Sequence, residues 1–117
     1  MTTRIAIPVF EQDIAPRFGF ARRFLVLELE GRRIVGQTDL RFDEPGCRRR
    51  LARLARRGVS RLVCGGFNRR FLPFTRGLGI EVSWGHTGAV EDLVAQLREA
   101  PQGGVVGPPE PKEGEPL

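Results

Sequence analysis

The sequence has few histidine and cysteine side chains, the nitrogen and sulfur ligands that transition metals prefer. It contains one histidine, His86, and two cysteines, Cys47 and Cys64. A four-cysteine zinc or iron–sulfur site therefore cannot form within one chain. A Ser–His–Asp triad would have to use His86, and no Gly-x-Ser-x-Gly segment is present. The first and fourth predicted strands also lack the facing carboxylates that a two-metal nuclease needs. The sequence therefore predicts a protein that is not an enzyme.

Long apolar runs are also missing. No run approaches the roughly 20 residues that a membrane-spanning helix needs. The first residues lack the basic-then-apolar pattern of a secretory signal. We therefore expect a cytoplasmic protein with no membrane partner. In that reducing compartment both cysteines are expected to be free thiols.

Lysine is nearly absent, because Lys112 is the only one and every other basic residue is an arginine. The formal net charge is +5; the segment 101–117 carries three glutamates and Lys112, a net of −2, so residues 1–100 carry +5 − (−2) = +7. Such a surface attracts polyanions and small anionic ligands alike. Proline, glycine and glutamate dominate 101–117, which has too few apolar residues to offset the cost of ordering. The sequence predicts one domain over 1–100 and a flexible tail over 101–117.

The rest of the chain alternates between strand and helix patterns, which is typical of an α/β fold. Apolar or alternating runs predict five strands: 3–10, 23–30, 34–40, 59–64 and 80–84. Amphipathic spacing predicts three helices: 47–57, 69–78 and 89–99. Gly31-Arg32-Arg33 joins the second and third strands as a hairpin, and Pro73 is expected to disturb the early turns of the second helix. We therefore expect one mixed sheet of five strands.

Loops that follow three of these strands carry the candidate functional residues. Ala15-Pro16-Arg17-Phe18-Gly19 follows the first strand, and it either walls a binding site or is an ordinary connection in which Phe18 and Phe20 fill the core. Gly65-Gly66 follows the fourth strand and could direct backbone N–H groups at an anion. It is neither a Walker loop nor a Rossmann fingerprint. Asn68, just after it, could cap the next helix.

His86 follows the fifth strand and is either a metal ligand or a solvent-exposed loop histidine. Ligands of open α/β sheets collect at the carboxyl ends of the strands. We therefore expect one crevice at that edge, lined by Arg17, Gly65, Gly66 and His86, with Cys64 beneath it and Cys47 as a candidate at its rim.

The predicted helix 47–57 is rich in arginine. These arginines are either the solvated face of an amphipathic helix or a phosphate-binding surface; they are Arg48, Arg49, Arg50, Arg53, Arg56 and Arg57. No aromatic residue is interleaved with them to stack on bases, which disfavours single-stranded nucleic acid. An alternative function is therefore a small interaction module that binds an anionic partner, nucleic acid being one candidate, through helix 47–57.

Segments across residues 3–98 resemble the dinitrogenase iron–molybdenum cofactor biosynthesis family, the NifX/NafY-like proteins whose domain also forms the C-terminus of some NifB proteins. They are Ile5-Ala6-Ile7-Pro8-Val9, Ala15-Pro16-Arg17-Phe18-Gly19-Phe20-Ala21, Phe24-Leu25-Val26, Gly58-Val59, Cys64-Gly65-Gly66 and Gly79-Ile80-Glu81-Val82. The resemblance implies a ribonuclease H-like, three-layer α/β/α fold with a mixed five-stranded sheet. It also implies a non-catalytic protein of nitrogen fixation that binds or carries the iron–molybdenum cofactor or its iron–sulfur precursor, alongside nitrogenase assembly proteins.

The resemblance also implies a site for such a metallocluster. A preassembled cluster is anionic and brings its own sulfides, so a carrier needs only one or two soft ligands and positive surroundings. From their place at the strand ends, the candidate cofactor-binding residues are Arg17, Phe18, Gly19, Gly65, Gly66 and Asn68. The candidate metal ligands are His86, Cys64 and Cys47. Many family members carry a Gly-His-Gly-like stretch ahead of the first helix, where this chain has Pro45-Gly46-Cys47. Cys47 either replaces that ligand, or the site has been lost.

Overall fold

A computed structural model describes residues 2–44 and 46–99 of the chain. The segment 101–117, predicted to be a flexible tail, lies outside the described residues, so that part of the predicted domain division stays a prediction. No helix within the described ranges is long and apolar enough to cross a membrane.

The strands form one mixed sheet. They are β1 (Thr2–Phe10), β2 (Asp13–Ile14), β3 (Arg23–Glu30), β4 (Arg33–Arg41), β5 (Val59–Val63) and β6 (Glu81–Ser83). The order is β4-β3-β1-β5-β6, and β2 pairs with β1 beside this path. The pairs β1–β3 and β3–β4 are antiparallel, whereas β1–β5 and β5–β6 are parallel. The predicted α/β class with a mixed sheet is confirmed. The two-residue β2 is an addition, and β6 is shorter than the predicted 80–84.

Three α-helices connect and cover the sheet: α1 (Cys47–Arg56), α2 (Leu72–Gly77) and α3 (Val90–Glu99). Two 3-10 turns accompany them, at Phe18–Phe20 and Arg69–Phe71. The predicted helix 69–78 is therefore a 3-10 turn followed by the short α2. Pro73 explains the division, because it has no N–H to donate and fits only the first turn of an α-helix.

The core has two parts because successive β1 side chains point to opposite faces of the sheet. Ala6 belongs to a cluster that includes Leu51 and Leu54 of α1. Ile5 and Ile7 belong to the other cluster, which includes Leu93 and Leu97 of α3. The sheet is thus covered on both faces, as the parallel connections require.

Pro8 determines how the chain leaves β1. β5 pairs with β1 only as far as Ala6, two residues before the proline. The Pro8 carbonyl instead accepts the Ala15 N–H at 2.9 Å, which fixes the start of the loop that follows. Because β1, β5 and β6 are parallel neighbours, their carboxyl ends lie at one edge of the sheet, and the loops after them meet there.

Candidate functional site

Backbone hydrogen bonds join the loops that follow β1 and β5. The Gly66 N–H donates to the Pro16 carbonyl at 2.7 Å, and the Phe18 N–H donates to the Gly66 carbonyl at 2.9 Å. Arg17 and Gly66 thereby form a parallel bridge outside the named strands. The sheet edge brings these segments together as the strand order predicted.

The loop after β6 is attached to the same place. The Gly85 N–H donates to the Gly65 carbonyl at 2.9 Å, and the His86 N–H donates to the Cys64 carbonyl at 3.0 Å. The Gly66 amide is already engaged in joining the loops after β1 and β5 in this conformation. Its assignment, with Gly65, to an anionic ligand stays a prediction.

Gly65 lies where main chains approach closely. A Cβ built on it would lie 2.7 Å from the Ala15 carbonyl oxygen and 2.8 Å from that of Pro16. Both distances are shorter than real Cβ contacts, so only glycine fits this junction without a shift of the backbone. The glycine that the sequence suggested as an anion cradle has a steric role at the junction of the loops.

The two phenylalanines of the first loop have different environments. Phe18 is buried, with ring centroids 5.5 Å from Phe24 and 5.4 Å from Phe67. Phe20 remains 78% exposed. The loop therefore fills the core with the Phe18 ring and exposes the Phe20 ring to solvent. The two alternatives considered from the sequence, a core-filling connection and the wall of a binding site, each describe one of these phenylalanines. Contact of Phe18 with a cofactor stays a prediction.

Cys64 and His86 lie beneath the joined loops. Cys64 has no exposed surface, and burial raises the pKa of its thiol. His86 is only 4% exposed, its Nε2 lies 2.9 Å from the Ser83 Oγ, and burial lowers the pKa of the ring. His86 is thus not the exposed loop histidine considered above. A metal could reach either side chain only if the loops separated, and their assignment as ligands stays a prediction.

Asn68 caps the 3-10 turn that follows the second loop. Its Oδ1 accepts the Arg70 N–H at 3.0 Å. The capping prediction is confirmed, although the capped element is a 3-10 turn. Contact with a cofactor is a separate prediction that this bond does not test.

Cys47, the first residue of α1, is the more accessible of the two thiols. It is half-buried and lines a cavity of about 520 Å³ together with Gly46, Arg48, Arg49, Arg70 and Phe71. A Cβ built on Gly19 would lie 3.4 Å from the Cys47 Sγ. The structure therefore brings together Gly19 and Cys47, two predicted site residues that are distant in sequence. Burial raises the pKa of this thiol, and the positive charge of Arg50 opposes that effect more weakly.

The amino terminus of α1 adds positive potential at this cavity. Gly46 occupies the N-cap position with φ 115°, has no side chain to accept a first-turn N–H, and no acidic residue lies in the first turn. No side chain of the first turn therefore offsets the partial positive charge of the helix terminus, although Glu44, which precedes the N-cap, pairs with Arg49. With the guanidinium groups that line the cavity, it favours an anion beside the Cys47 thiol.

Arg50, which the sequence grouped with the other arginines of helix 47–57, has an environment of its own. It is only 5% exposed, one guanidinium nitrogen donates to the Gly19 carbonyl, and the buried Nε has no hydrogen-bond partner. Arg50 lies three residues after Cys47, on the same helical face. Buried polar atoms in proteins nearly always have a hydrogen-bond partner, so the Arg50 Nε can still donate to an acceptor near the Cys47 thiol.

Most of the other arginines of α1 have partners within the chain. Arg49 and Arg53 pair with Glu44 at 3.2 and 3.3 Å. The Arg48 guanidinium lies 5.6 Å from the centre of the Phe74 ring. These contacts hold the side chains against the protein, which argues against α1 as an open phosphate-binding face.

Arg17 is exposed and lines a different cavity, of about 630 Å³, at the carboxyl end of β1. Two residues of the 3-10 turn Phe18–Phe20 relate it to these cavities: Gly19 lies close to Cys47, which lines the smaller cavity, and Phe20 lines the larger one. The side chains of Arg17 and Cys47 therefore serve two neighbouring cavities.

The donor set suits a preassembled cluster better than a bare ion. Within the part of the chain that the structure describes, no three histidine, cysteine, aspartate or glutamate side chains group so as to hold a metal ion. Bare divalent metals need about four protein ligands in a closed site. One accessible thiol among cationic groups matches instead the needs of a cluster that carries its own sulfides.

Comparison with known proteins assigns the chain to one protein family. The sequence profile of the family described as "Dinitrogenase iron-molybdenum cofactor" matches residues 1–100. The comparison with curated protein sequences found no match.

Solved structures share the fold. The crystal structure of the protein PH0822 superposes with a TM-score of 0.77 at 21% identity, covering 83% of this chain and 89% of that one. A Methanocaldococcus jannaschii protein provisionally named a dinitrogenase gives a TM-score of 0.67 at 15% identity, covering 85% and 90% of the two chains. A Thermotoga protein provisionally named a NifB protein gives 0.65 at 16% identity, covering 92% and 99%. At these identities the likeness concerns the fold.

Proposed function

The chain belongs to the dinitrogenase iron–molybdenum cofactor family, and from this premise we propose that it binds and carries an anionic iron–sulfur cofactor or precursor. The family supports the coarser statement, a role in the biosynthesis of the iron–molybdenum cofactor. The cargo, its ligand and the carrier role belong to the proposal. We place the cargo in the cavity beside Cys47.

One observation carries the proposal: the half-buried Cys47 thiol lines a cavity that also contains three arginines. Thiolate is the protein ligand that iron–sulfur clusters use most. Arginine N–H groups form charge-assisted hydrogen bonds to anionic acceptors. Such bonds to the sulfides stabilise a cluster and tune its properties.

Binding requires the Cys47 thiol to release its proton to solvent, after which the thiolate occupies an open coordination position on iron. Burial raises the pKa of this thiol, so the cationic groups and the cluster itself must favour deprotonation. We propose that the unpaired Nε of Arg50, whose charge acts on Cys47, donates to the thiolate. In this proposal α1 supplies the thiolate ligand, and the arginines near Cys47 supply the positive charge that stabilises the thiolate and the anionic cluster.

Attachment through one protein ligand suits a carrier. A closed site with four protein ligands holds its metal as part of the structure. A cluster held by one thiolate and by hydrogen bonds is released when an acceptor protein supplies stronger ligands. We therefore propose transfer to nitrogenase assembly proteins in the cytoplasm. On release the iron–thiolate bond breaks and the Cys47 thiolate takes a proton back from solvent, so loading and unloading are the reverse of each other.

Anaerobic titration with the isolated cofactor, followed by its visible spectrum, tests the proposal. We expect wild-type protein to shift the spectrum and Cys47→Ala to weaken binding by about tenfold or more, as is typical for loss of a metal-binding group. Cys64→Ala and His86→Ala are the controls, since both side chains are buried, and they should bind as wild type does. Circular dichroism verifies that each variant is folded.

Other outcomes would contradict parts of the proposal. Weaker binding only in Cys64→Ala or His86→Ala would move the ligand to the joined loops after β5 and β6. Absence of binding by wild-type protein would remove the carrier function. If wild-type protein then bound DNA or RNA with strong salt dependence, the anionic-partner alternative through α1 would replace it.

A further inference from the structure

We propose that the larger cavity, of about 630 Å³ at the carboxyl end of β1, binds a small anion that carries a planar aromatic ring. Its lining includes Phe10, Phe20, Arg17, Arg22, Arg23 and Arg41. The volume lies within the range of roughly 300–1,000 Å³ that is usual for small-molecule sites. The proposal uses none of the residues that line the Cys47 cavity and does not depend on the proposed function.

The apolar part of the site consists of two exposed aromatic side chains above small buried residues. Phe10 is 61% exposed and Phe20 is 78% exposed, and both line the cavity. Ala15 and Ala21 are buried in the wall between them, and their short side chains leave space. Exposed aromatic groups gathered at one concavity are typical of a binding site. Their faces stack on a planar ring whatever its substituents.

The charged part of the site favours an anion. Arg23 pairs with Asp39 at 3.9 Å, and Arg41 pairs with Asp43 at 3.5 Å. Among the described residues, Arg17 and Arg22 form no ion pair with a carboxylate. Two guanidinium groups are therefore available beside the aromatic rings, and their planar forks match a phosphate or carboxylate.

One carboxylate, Glu11, also lines the cavity and narrows the choice of ligand. It is the one non-glycine residue with positive φ among those described, at 56°. Four arginines against one glutamate leave the lining with a net charge of 4 − 1 = +3. A ligand with a single compact anionic group and an uncharged ring suits this arrangement better than a polyanion, which would also lie against Glu11.

Isothermal titration calorimetry of the full-length protein at low ionic strength tests the proposal, with AMP as the probe. Adenosine has the ring without the anionic group and inorganic phosphate has the anionic group without the ring, so their affinities measure the two contributions separately. In 1-naphthoate a carboxylate takes the place of the phosphate. We expect AMP or 1-naphthoate to bind, and adenosine and phosphate each to bind at least about tenfold more weakly. Preference for AMP identifies a nucleotide as the source of this chemistry, and preference for 1-naphthoate identifies an aromatic carboxylate.

Three variants assign the binding to the cavity. Phe20→Ala removes a stacking face and should weaken binding by about fivefold. Arg17→Gln should weaken it by about threefold, a modest effect because the side chain is exposed. Arg57→Gln is the matched control, since it removes the same charge from an exposed residue that does not line the cavity, and it should bind as wild type does.

The proposal fails if neither AMP nor 1-naphthoate binds, if adenosine or phosphate binds as tightly as AMP, or if all three variants lose affinity equally. It also fails if sedimentation shows a dimer that Phe20→Ala dissociates, because the aromatic rings would then cover a second copy of the chain. Cys47→Ala must leave AMP binding unchanged, which distinguishes this site from that of the cluster.

Discussion

Replacement of Gly65 by alanine should destabilise the protein strongly, because the new methyl group meets main-chain atoms. It would lie 2.7 Å from the Ala15 carbonyl oxygen and 2.8 Å from that of Pro16. Neither atom can turn aside as the end of a flexible side chain could. The loop after β1 must therefore move away from the loop after β5.

The magnitude follows from the contacts that this movement disturbs. Overpacking in a close-packed interior costs about 1–3 kcal/mol. Displacement of Pro16 also lengthens the 2.7 Å bond from the Gly66 N–H, which places the expected loss in the upper half of that range, at about 2–3 kcal/mol. For a domain of about 100 residues each kcal/mol lowers Tm by roughly 4–8 °C, so we expect a decrease of about 8–24 °C.

Thermal unfolding followed by circular dichroism measures this change, and Gly77→Ala is the matched control. Gly77 is the last residue of α2, and a Cβ built on it has no atom within 4 Å. Alanine there should leave Tm unchanged or raise it by a few degrees, since alanine in a helix is favoured by about 0.5–1 kcal/mol. A Tm for Gly65→Ala within about 2 °C of wild type would refute the close approach of the loops.

Three further predictions concern pH and the tail. Burial lowers the pKa of His86, so between about pH 6.5 and that lowered pKa the unfolded chain binds a proton that the folded chain does not. The free energy of unfolding should therefore fall with decreasing pH, by at most about 1.4 kcal/mol per pH unit. Urea titrations at several pH values measure this slope, and His86→Gln should lack the contribution. Burial raises the pKa of the Cys47 thiol, and the cluster binds only the deprotonated form. Below that pKa the affinity for the cluster should therefore increase with pH by up to about tenfold per pH unit. Spectral titrations at several pH values test this, and the same slope in Cys47→Ala would contradict it. Removal of residues 101–117 should change Tm by less than about 5 °C in a thermal scan, and a larger decrease would mean that this segment docks on the domain.

The elements with strong local periodicity were predictable from the sequence. The β3–β4 hairpin, the apolar β1 and the amphipathic α1 and α3 each bury a face that their own residue pattern defines. The strand order then places the loops after β1, β5 and β6 at one edge, because connected parallel strands share a direction. That reasoning predicted where these loops meet, but it did not predict the cavity beside Cys47 in which we place the cargo.

The environment of individual side chains was not predictable in the same way. Phe18 and Phe20 lie two residues apart, and only the 3-10 turn decides that the first is buried and the second exposed. An amphipathic pattern assigns Arg50 to the solvent-facing side of α1, yet its side chain is buried and donates to the carbonyl of Gly19, which is distant in sequence. His86 is buried because its own amide and that of Gly85 attach its loop to the loop after β5. Each outcome depends on a tertiary contact between segments that no local pattern encodes.

Protection of a single thiol tests the carrier proposal most directly. Iodoacetamide is applied anaerobically to the protein before and after loading with the isolated cofactor, and mass spectrometry quantifies the alkylation of each cysteine. Cys47 is half-buried and Cys64 is fully buried, so the free protein should be alkylated at Cys47 and not at Cys64. We predict that loading abolishes the alkylation of Cys47. Alkylation of Cys47 at the same rate in the loaded protein would contradict its role as the ligand.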